Sequence, residues 1–205
     1  MASTAAGARL TSEHRAAQLA IRSVALRQAL KVWPALDPEH VFDSWPPVEA
    51  ALLAIISQRG EESASVAGKY FRAFRMAEGI SGSMAPVLSA VTGDAITRAE
   101  TSLRITGPLT LERLTALRHP DPDRVALVRV SGAIARHVLA GGRQTLLASI
   151  GVDRRAMGYA RTTGGNACAF CAMLVSRGNV YGERSGDFPA HDHCACSLEP
   201  VYRAR

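Results

Sequence analysis

The chemistry-bearing residues of this chain are concentrated near its carboxyl end. Six side chains that commonly bind transition metals fall within 29 positions: Cys168, Cys171, His191, His193, Cys194 and Cys196. The first 167 residues contain no cysteine at all. Thiolate and imidazole are the ligands that zinc prefers in proteins, and a Cys-x-x-Cys turn followed by a second Cys/His turn is the usual arrangement of a structural site. The spacing therefore predicts a zinc-binding cluster.

Tetrahedral zinc needs four ligands, and this stretch offers six. We take Cys168, Cys171, His191 and Cys194 as the preferred set. Cys196 is a close substitute, because alternate side chains of an extended segment point the same way. His193 is the least favoured of the six.

Other uses of these residues stay open at this point. A Cys-x-x-Cys pair can be a redox site, and a thiol such as Cys171 with His193 can form a nucleophilic pair. Nearby carboxylates, Asp187, Asp192 and Glu199, leave room for a catalytic zinc of the kind found in nucleases. The cysteines could also be small buried side chains. The amino-terminal residues have no apolar run of signal-peptide length and no run approaches a membrane span, so we expect cytosolic folding with reduced thiols, which disfavours disulfides.

Composition predicts the elements that must position this cluster. The chain has 205 residues, is 47% apolar and only 5% aromatic, and is rich in alanine, which favours packed helices. We predict a mainly α, α+β fold. It consists of a helical body over 1–150 and a small zinc-stapled module of short strands over 151–205, which is too short to bury much apolar surface without a staple.

Hydrophobic periodicity and turn residues place the elements. Helices are predicted over 12–33, 37–42, 48–74, 84–98, 110–117, 124–139 and 167–176. Strands are predicted over 100–106, 155–163, 180–181 and 197–202. In the first helix, the predicted buried stripe is Leu19, Ser23, Leu26, Leu30 and Trp33. We expect breaks at Pro46-Pro47 and at Gly141-Gly142. Gly79 closes the run that starts at Val48, and Gly60 and Gly68 leave open whether that run is one helix or two.

The charge is strongly basic and is carried by arginine. The formal net charge is +6, and all but two of the 24 basic residues are arginine. Arg129, Arg136 and Arg143 recur every seven residues and predict a basic ridge along one helix. Such a ridge could contact DNA or an acidic protein surface, or could be an ordinary solvated face in an arginine-rich composition.

Two segments resemble a known family. The carboxyl-terminal segments GYARTTGGNACAFCAMLVSRGNVY and HDHCACSLEPVY are similar to the end of phage head-morphogenesis proteins of the MuF-like minor capsid family, in the form found in phages of actinobacteria. The stretch DPEHVFDSWPPVEAALLAIISQRGEESASVAGKYFRAFRMAEG resembles the helical opening of those proteins. The family's HxxCxC signature falls on His191, Cys194 and Cys196, and its upstream pair on Cys168 and Cys171. The family often has proline and asparagine where this chain has Asp192-His193.

The resemblance implies a virion or assembly component that is made in the host cytoplasm and lies inside the capsid near the portal. Its implied partners are the portal protein, the major capsid or scaffold protein, and packaged DNA; no membrane partner is expected. Relatives are sometimes labelled capsid maturation proteases, but no Ser-His-Asp set or HExxH helix is visible here. We therefore expect a binding role with structural zinc, and keep a maturation protease, a zinc nuclease and a simple DNA-binding module as alternatives.

Overall fold

The structure is a computed structural model that describes residues 2–89, 91, 93–164, 168–176, 178, 181–182 and 188–203. It is mainly helical with a small antiparallel sheet near the carboxyl end, as predicted. The helices are α1 (Ala5–Val32), α2 (Val41–Ala77), α3 (Asp94–Thr106), α4 (Pro108–Ala116), α5 (Pro122–Val152) and α6 (Ala169–Ser176). A 3-10 turn, Trp33–Ala35, follows α1, and the strands are β1 (Ala156–Thr162), β2 (Tyr181–Gly182) and β3 (Ser197–Tyr202).

Three long helices, α1, α2 and α5, pack together and form the body. A buried polar junction holds all three in register. The Ser63 hydroxyl donates to Gln18 Oε1 (2.6 Å) and accepts from the backbone N–H of Gly142 (3.0 Å), while Gln18 Nε2 donates to the Ser63 carbonyl (3.0 Å). Because each of these groups is buried, a slip of any helix would leave a polar atom without a partner.

Two hydrophobic clusters lie along α2 and α5. The first fills the space between the amino-terminal halves of α2 and α5, the second half of α1, and α3 with α4. The second joins Tyr70, Phe71 and Phe74 of α2 to Leu146 of α5 and to the carboxyl-terminal sheet. The sheet is therefore packed directly on the helical body.

The predicted buried stripe of α1 was wrong except at its end, where Trp33 is buried in the core and Leu26 packs partly buried against it. The helix begins earlier, at Ala5. The buried positions are His14, Gln18, Ile21, Ala25 and Ala29. Leu30, expected inside, is 50% exposed. Small and polar residues occupy the inner face because α1 lies close against α2 and α5.

The predicted break at Pro46-Pro47 was also wrong, since α2 begins at Val41 and continues through both prolines. The separate short helix ending at Phe42 is therefore not formed. Val41, Trp45 and Val48 are buried on one face and pack into the first cluster. This tertiary packing outweighs the two backbone hydrogen bonds that the prolines cannot make. The periodic run that starts at Val48 belongs to this one helix, which ends at Ala77 although it contains Gly60 and Gly68.

Two further predictions failed in the middle of the chain. No helix begins at Met84; α3 begins at Asp94 and includes residues 100–106, which were predicted as a strand. The alternation of Leu103 with Ile105 suggested a strand, but Ala99 and Leu103, one helical turn apart, are the buried positions and Ile105 is exposed. The helix predicted at 110–117 is confirmed as α4.

The pair Gly141-Gly142 does not end α5, which continues to Val152. Both glycines are buried against α2. A Cβ placed on Gly141 would collide with the Gly60 carbonyl, and one on Gly142 would lie 2.7 Å from the Ser63 hydroxyl. The glycines therefore serve close helix packing rather than termination.

In the described part of the chain, α5 alone is long and apolar enough to cross a membrane by length and composition, contrary to the expectation that no run approaches a span. Of the apolar 18-residue window of α5 that meets this test, 61% is buried inside the molecule. This is the pattern of a core helix surrounded by α1, α2, α3 and α4.

The carboxyl-terminal sheet has the order β2-β1-β3, and both pairings are antiparallel. The strands predicted at 155–163 and 197–202 and the helix at 167–176 are confirmed as β1, β3 and α6, with Ala167 outside the described residues. Tyr181 lies in β2, while Val180 lies outside the described residues. That 1–150 and 151–205 are separate domains stays a prediction.

A buried ion pair fixes the junction between α5 and the sheet. Arg75 Nε donates to Asp153 Oδ2 at 2.7 Å, and both side chains are buried. The Tyr202 hydroxyl and the N–H of Arg155 also donate to Asp153, at 3.2 Å and 3.0 Å. Burial raises the pKa of Asp153, but these hydrogen bonds outweigh it and leave the pKa below its usual value.

Candidate metal centre

The first pair of cysteines lies at the start of α6. Cys168 directly precedes the helix, and its carbonyl accepts from the N–H of Ala172 at 2.9 Å. The N–H of Cys171, in the first turn, donates to Cys168 Sγ at 3.4 Å. Backbone donors facing sulfur are what a Cys-x-x-Cys metal turn provides, because they stabilise thiolate charge.

The second half of the site is the segment from His191 to Cys196, which leads into β3. The N–H of Cys194 donates to the His191 carbonyl at 3.1 Å and closes a tight turn. His191 Nδ1 lies 2.6 Å from the Asp192 carbonyl oxygen. A carbonyl can only accept, so Nδ1 carries the proton and Nε2 presents its lone pair to the sulfurs.

The two halves meet. Cys171 Sγ is 3.7 Å from Cys194 Sγ and 3.6 Å from His191 Nε2. In a tetrahedral zinc site the ligand atoms are separated by about 3.8 Å for two sulfurs and about 3.5 Å for sulfur and nitrogen. Cys168 Sγ to His191 Nε2, at 2.9 Å, is a thiol–imidazole hydrogen bond. The donor set and the two distances from Cys171 Sγ are those of a site that could hold a metal ion, whereas Cys168 and His191 are in direct hydrogen-bond contact.

The possible ligands form two groups that share Cys171. Cys168, Cys171 and His191 lie within 4.8 Å of one another, as do Cys171, Cys194 and Cys196. We call these five residues the thiol cluster. All five predicted ligands therefore lie in groups that could hold a metal ion, although no ion identity follows from the geometry.

Burial controls the protonation of these thiols. Burial raises the pKa of Cys171 to about 11, and the hydrogen bond with Cys196 together with burial raises the pKa of Cys194 to about 12. The N–H of Cys171 lowers the pKa of Cys168, which is exposed. Ligand thiolates must be deprotonated, so metal binding here would release protons.

Arg143 holds the second half in place, which the sequence did not reveal. This α5 side chain is 5% exposed. Its Nε donates to the Cys196 carbonyl (3.1 Å), and its Nη2 donates to the carbonyls of Cys194 (2.8 Å) and Cys196 (3.0 Å). Burial lowers the pKa of Arg143. The Arg143 guanidinium lies 5.3 Å from the centroid of the Phe188 ring. The guanidinium of Arg161, a β1 residue, lies 3.6 Å from the same centroid.

The predicted basic ridge is wrong as an exposed surface. Arg129 is exposed, but Arg143 is buried behind the thiol cluster. Arg136 Nε donates to Asp192 Oδ1 at 2.8 Å. The seven-residue spacing does place all three on one side of α5, and for Arg136 and Arg143 that side faces the carboxyl-terminal segment.

The other chemical candidates lie outside the two ligand groups, although His193 lines the cavity beside the thiol cluster. His193 has a positive φ of 63° and packs on α5, where a Cβ on Gly132 would lie 2.6 Å from its Nε2. Glu199 is buried and accepts from Thr11 Oγ1 at 2.6 Å. Asp192 is engaged by Arg136, and Asp187 lies outside the described residues. Neither Asp192 nor Glu199 is in the thiol cluster.

Comparison with known protein families assigns the chain to a class of proteins. A family profile described as VG15 protein matches residues 4–205, nearly the whole chain. The class so defined is a viral, phage-encoded gene product. The chain belongs to the VG15 protein family. No curated protein and no solved structure matches it.

Proposed function

We propose that this phage protein is a MuF-like minor capsid protein that acts in head assembly, or in DNA packaging or ejection, through binding, and that a structural zinc ion holds its carboxyl-terminal module. The observation that carries the proposal is the convergence of two cysteine-bearing turns, the one at Cys168-Cys171 and the one at His191–Cys196, in a phage protein. The sequence resemblance to the MuF-like family at those same positions supports the finer assignment.

The surroundings of the thiol cluster favour a structural rather than a catalytic ion. Cys171 and Cys194 are each 2% exposed. Sulfur dominates the five ligand candidates, and catalytic zinc sites usually have a nearby carboxylate for proton transfer. The two sequence-near carboxylates that the structure describes, Asp192 and Glu199, are bound elsewhere.

The proposed location is the capsid interior near the portal, and the proposed partners are the portal protein and the major capsid or scaffold protein. Packaged DNA is a further proposed partner. Of the three arginines considered for that contact, Arg129 is the exposed one.

The test is made in phage particles. A phage in which this gene is disrupted is complemented with the tagged full chain, and purified virions are analysed by quantitative mass spectrometry. We expect the chain in low copy number per virion and recovery of the portal protein with it after mild cross-linking. Absence from virions and from assembling heads would contradict the proposal. Arg104→Gln, on the exposed face of α3, serves as a control that leaves incorporation unchanged.

A second candidate function, a capsid maturation protease, is favoured by one contact. Exposed Cys168 lies 2.9 Å from His191 Nε2, the distance of a thiol–imidazole pair, and a cavity of about 190 Å³ borders it. Co-expression with the major capsid protein discriminates the two functions. Cleavage that is lost in Cys168→Ala while zinc content is kept would favour the protease, and no cleavage by the wild-type chain would dismiss it.

A further inference from the structure

A second cavity, of about 190 Å³, lies between α3, α5 and the segment Phe188–Ala190. It is distinct from the cavity beside Cys168. The described residues that line it are Ser89, Val91, Ala95, Arg98, Arg136, His137, Ala140, Gly141, Arg143, Gln144, Phe188 and Ala190. It is smaller than the roughly 300–1,000 Å³ of a pocket for a drug-sized ligand, so it suits a small group.

The charged residues that line this cavity are all cationic. Three arginines line it, Arg98 from α3 and Arg136 and Arg143 from α5. None of the described lining residues is an aspartate or glutamate. Two acidic groups lie on adjoining segments: Asp192 is hydrogen-bonded to Arg136, and Asp94 lines a neighbouring groove together with Arg98.

Each guanidinium has donor capacity left over in the part of the chain that the structure describes. Arg143 Nη1 is buried and has no hydrogen-bond partner. Arg136 uses Nε for Asp192 and Nη2 for the Ser102 hydroxyl, which leaves Nη1. Arg98 has no ion-pair or hydrogen-bond partner among these residues. A buried cation with an unused donor is costly unless an anion satisfies it.

His137 of α5 also lines this cavity. Its Nε2 lies 3.0 Å from the Ser102 hydroxyl. Burial is the largest cause that lowers the pKa of His137 to about 4; the charge of Arg136 adds to it, Asp192 opposes it, and Arg98 contributes least. The imidazole therefore stays neutral, while the arginines keep their charge.

We propose that this cavity binds a phosphate group, either free or as part of a nucleic acid. Guanidinium groups pair with phosphate oxygens through parallel N–H donors. Arg98 and Arg136 line this cavity from two helices and have donors left over, and the buried guanidinium of Arg143 adds positive charge behind its wall. A phosphate offers more oxygens and more charge to such a set than a carboxylate does. The wall formed by Val91, Ala95 and Phe188 is apolar and has no charge that would oppose the anion.

The test is calorimetric titration of the full chain in a buffer without other polyanions. The probes are inorganic phosphate, a short oligothymidylate with a 5′-phosphate, and acetate. We expect saturable 1:1 binding of inorganic phosphate and much weaker binding of acetate. Absence of saturable phosphate binding, or acetate binding of equal strength, would overturn the proposal.

Matched variants locate the binding. Arg98→Gln changes an exposed side chain of α3 that lines the cavity, and we expect it to weaken phosphate binding about tenfold, the loss of one charged hydrogen bond. Arg104→Gln is an exposed arginine of the same helix outside the lining, and we expect a change below about twofold. Equal weakening by both variants would refute a specific site.

The same titrations distinguish the two sources of phosphate. If the oligonucleotide binds more tightly than inorganic phosphate and the difference disappears in Arg98→Gln, the site takes a nucleic-acid phosphate. If both bind equally and compete, it takes the free anion. Oligonucleotide binding that Arg98→Gln leaves unchanged would place the contact elsewhere and would contradict the proposal.

Discussion

Gly141 lies at the closest approach of α5 to α2. A Cβ built at this position would be 2.9 Å from the carbonyl carbon of Gly60 and closer still to its oxygen. Gly151, near the end of the same helix, has nothing within 4 Å of such a Cβ. The two positions therefore allow the same substitution to be tested with opposite expected signs.

The magnitudes follow from the surroundings of each glycine. Alanine gains up to about 1 kcal/mol over glycine in a helix through propensity alone. At Gly141 the obstacle is backbone, which cannot rotate away, so overpacking of about 1–3 kcal/mol or more opposes that gain. We expect Gly141→Ala to lower the free energy of unfolding by about 2 kcal/mol and Gly151→Ala to raise it by about 0.5 kcal/mol.

Urea unfolding at fixed zinc concentration, followed by circular dichroism, measures both variants. With a slope of about 3 kcal/mol per molar urea, the midpoint should fall by about 0.7 M for Gly141→Ala and rise by about 0.2 M for Gly151→Ala. A Gly141→Ala protein as stable as the wild type would refute the close packing of α2 on α5 at this point.

Three buried polar side chains give further expected outcomes. Burial lowers the pKa of His14 from 6.5 to about 4, so its contribution to stability is present above about pH 6.5 and is lost as the pH falls toward 4. The loss should be up to about 1.4 kcal/mol per pH unit, and His14→Phe should make the acid limb of Tm against pH shallower; an unchanged limb would contradict the burial. Asp153→Asn leaves Arg75 buried without its ion-pair partner and should lower the free energy of unfolding by about 3–5 kcal/mol in urea titration, while a loss below 1 kcal/mol would count against the ion pair. Ser63→Ala removes two buried hydrogen bonds and should cost about 1–3 kcal/mol by the same assay, whereas no loss would mean that the junction contributes nothing.

The thiol cluster could be predicted from sequence because metal ligands are recognised by residue type and spacing. Cys168 and Cys171 at one turn and His191, Cys194 and Cys196 at another had to meet if one ion was to hold both. The strands β1 and β3 could also be predicted from sequence, because short alternating segments bounded by turn residues are a local pattern.

Other features depended on contacts between distant residues. Arg143 has the same heptad spacing whether it faces solvent or the carbonyls of Cys194 and Cys196, so its role could not be inferred from sequence. Gly141 and Gly142 are usual helix-ending residues, and only the position of α2 shows that they serve packing. Pro46 and Pro47 break isolated helices, but burial of Trp45 overrides this preference here.

The most direct test of the account is the metal content and ligand shell of the purified protein. X-ray absorption at the zinc edge should show one equivalent of zinc bound by three sulfurs at about 2.3 Å and one nitrogen at about 2.0 Å. Cys171→Ser, which changes the residue that both ligand groups share, should abolish stoichiometric zinc. A protein whose carboxyl-terminal segment is folded without any metal, or a metal shell dominated by oxygen, would contradict the account.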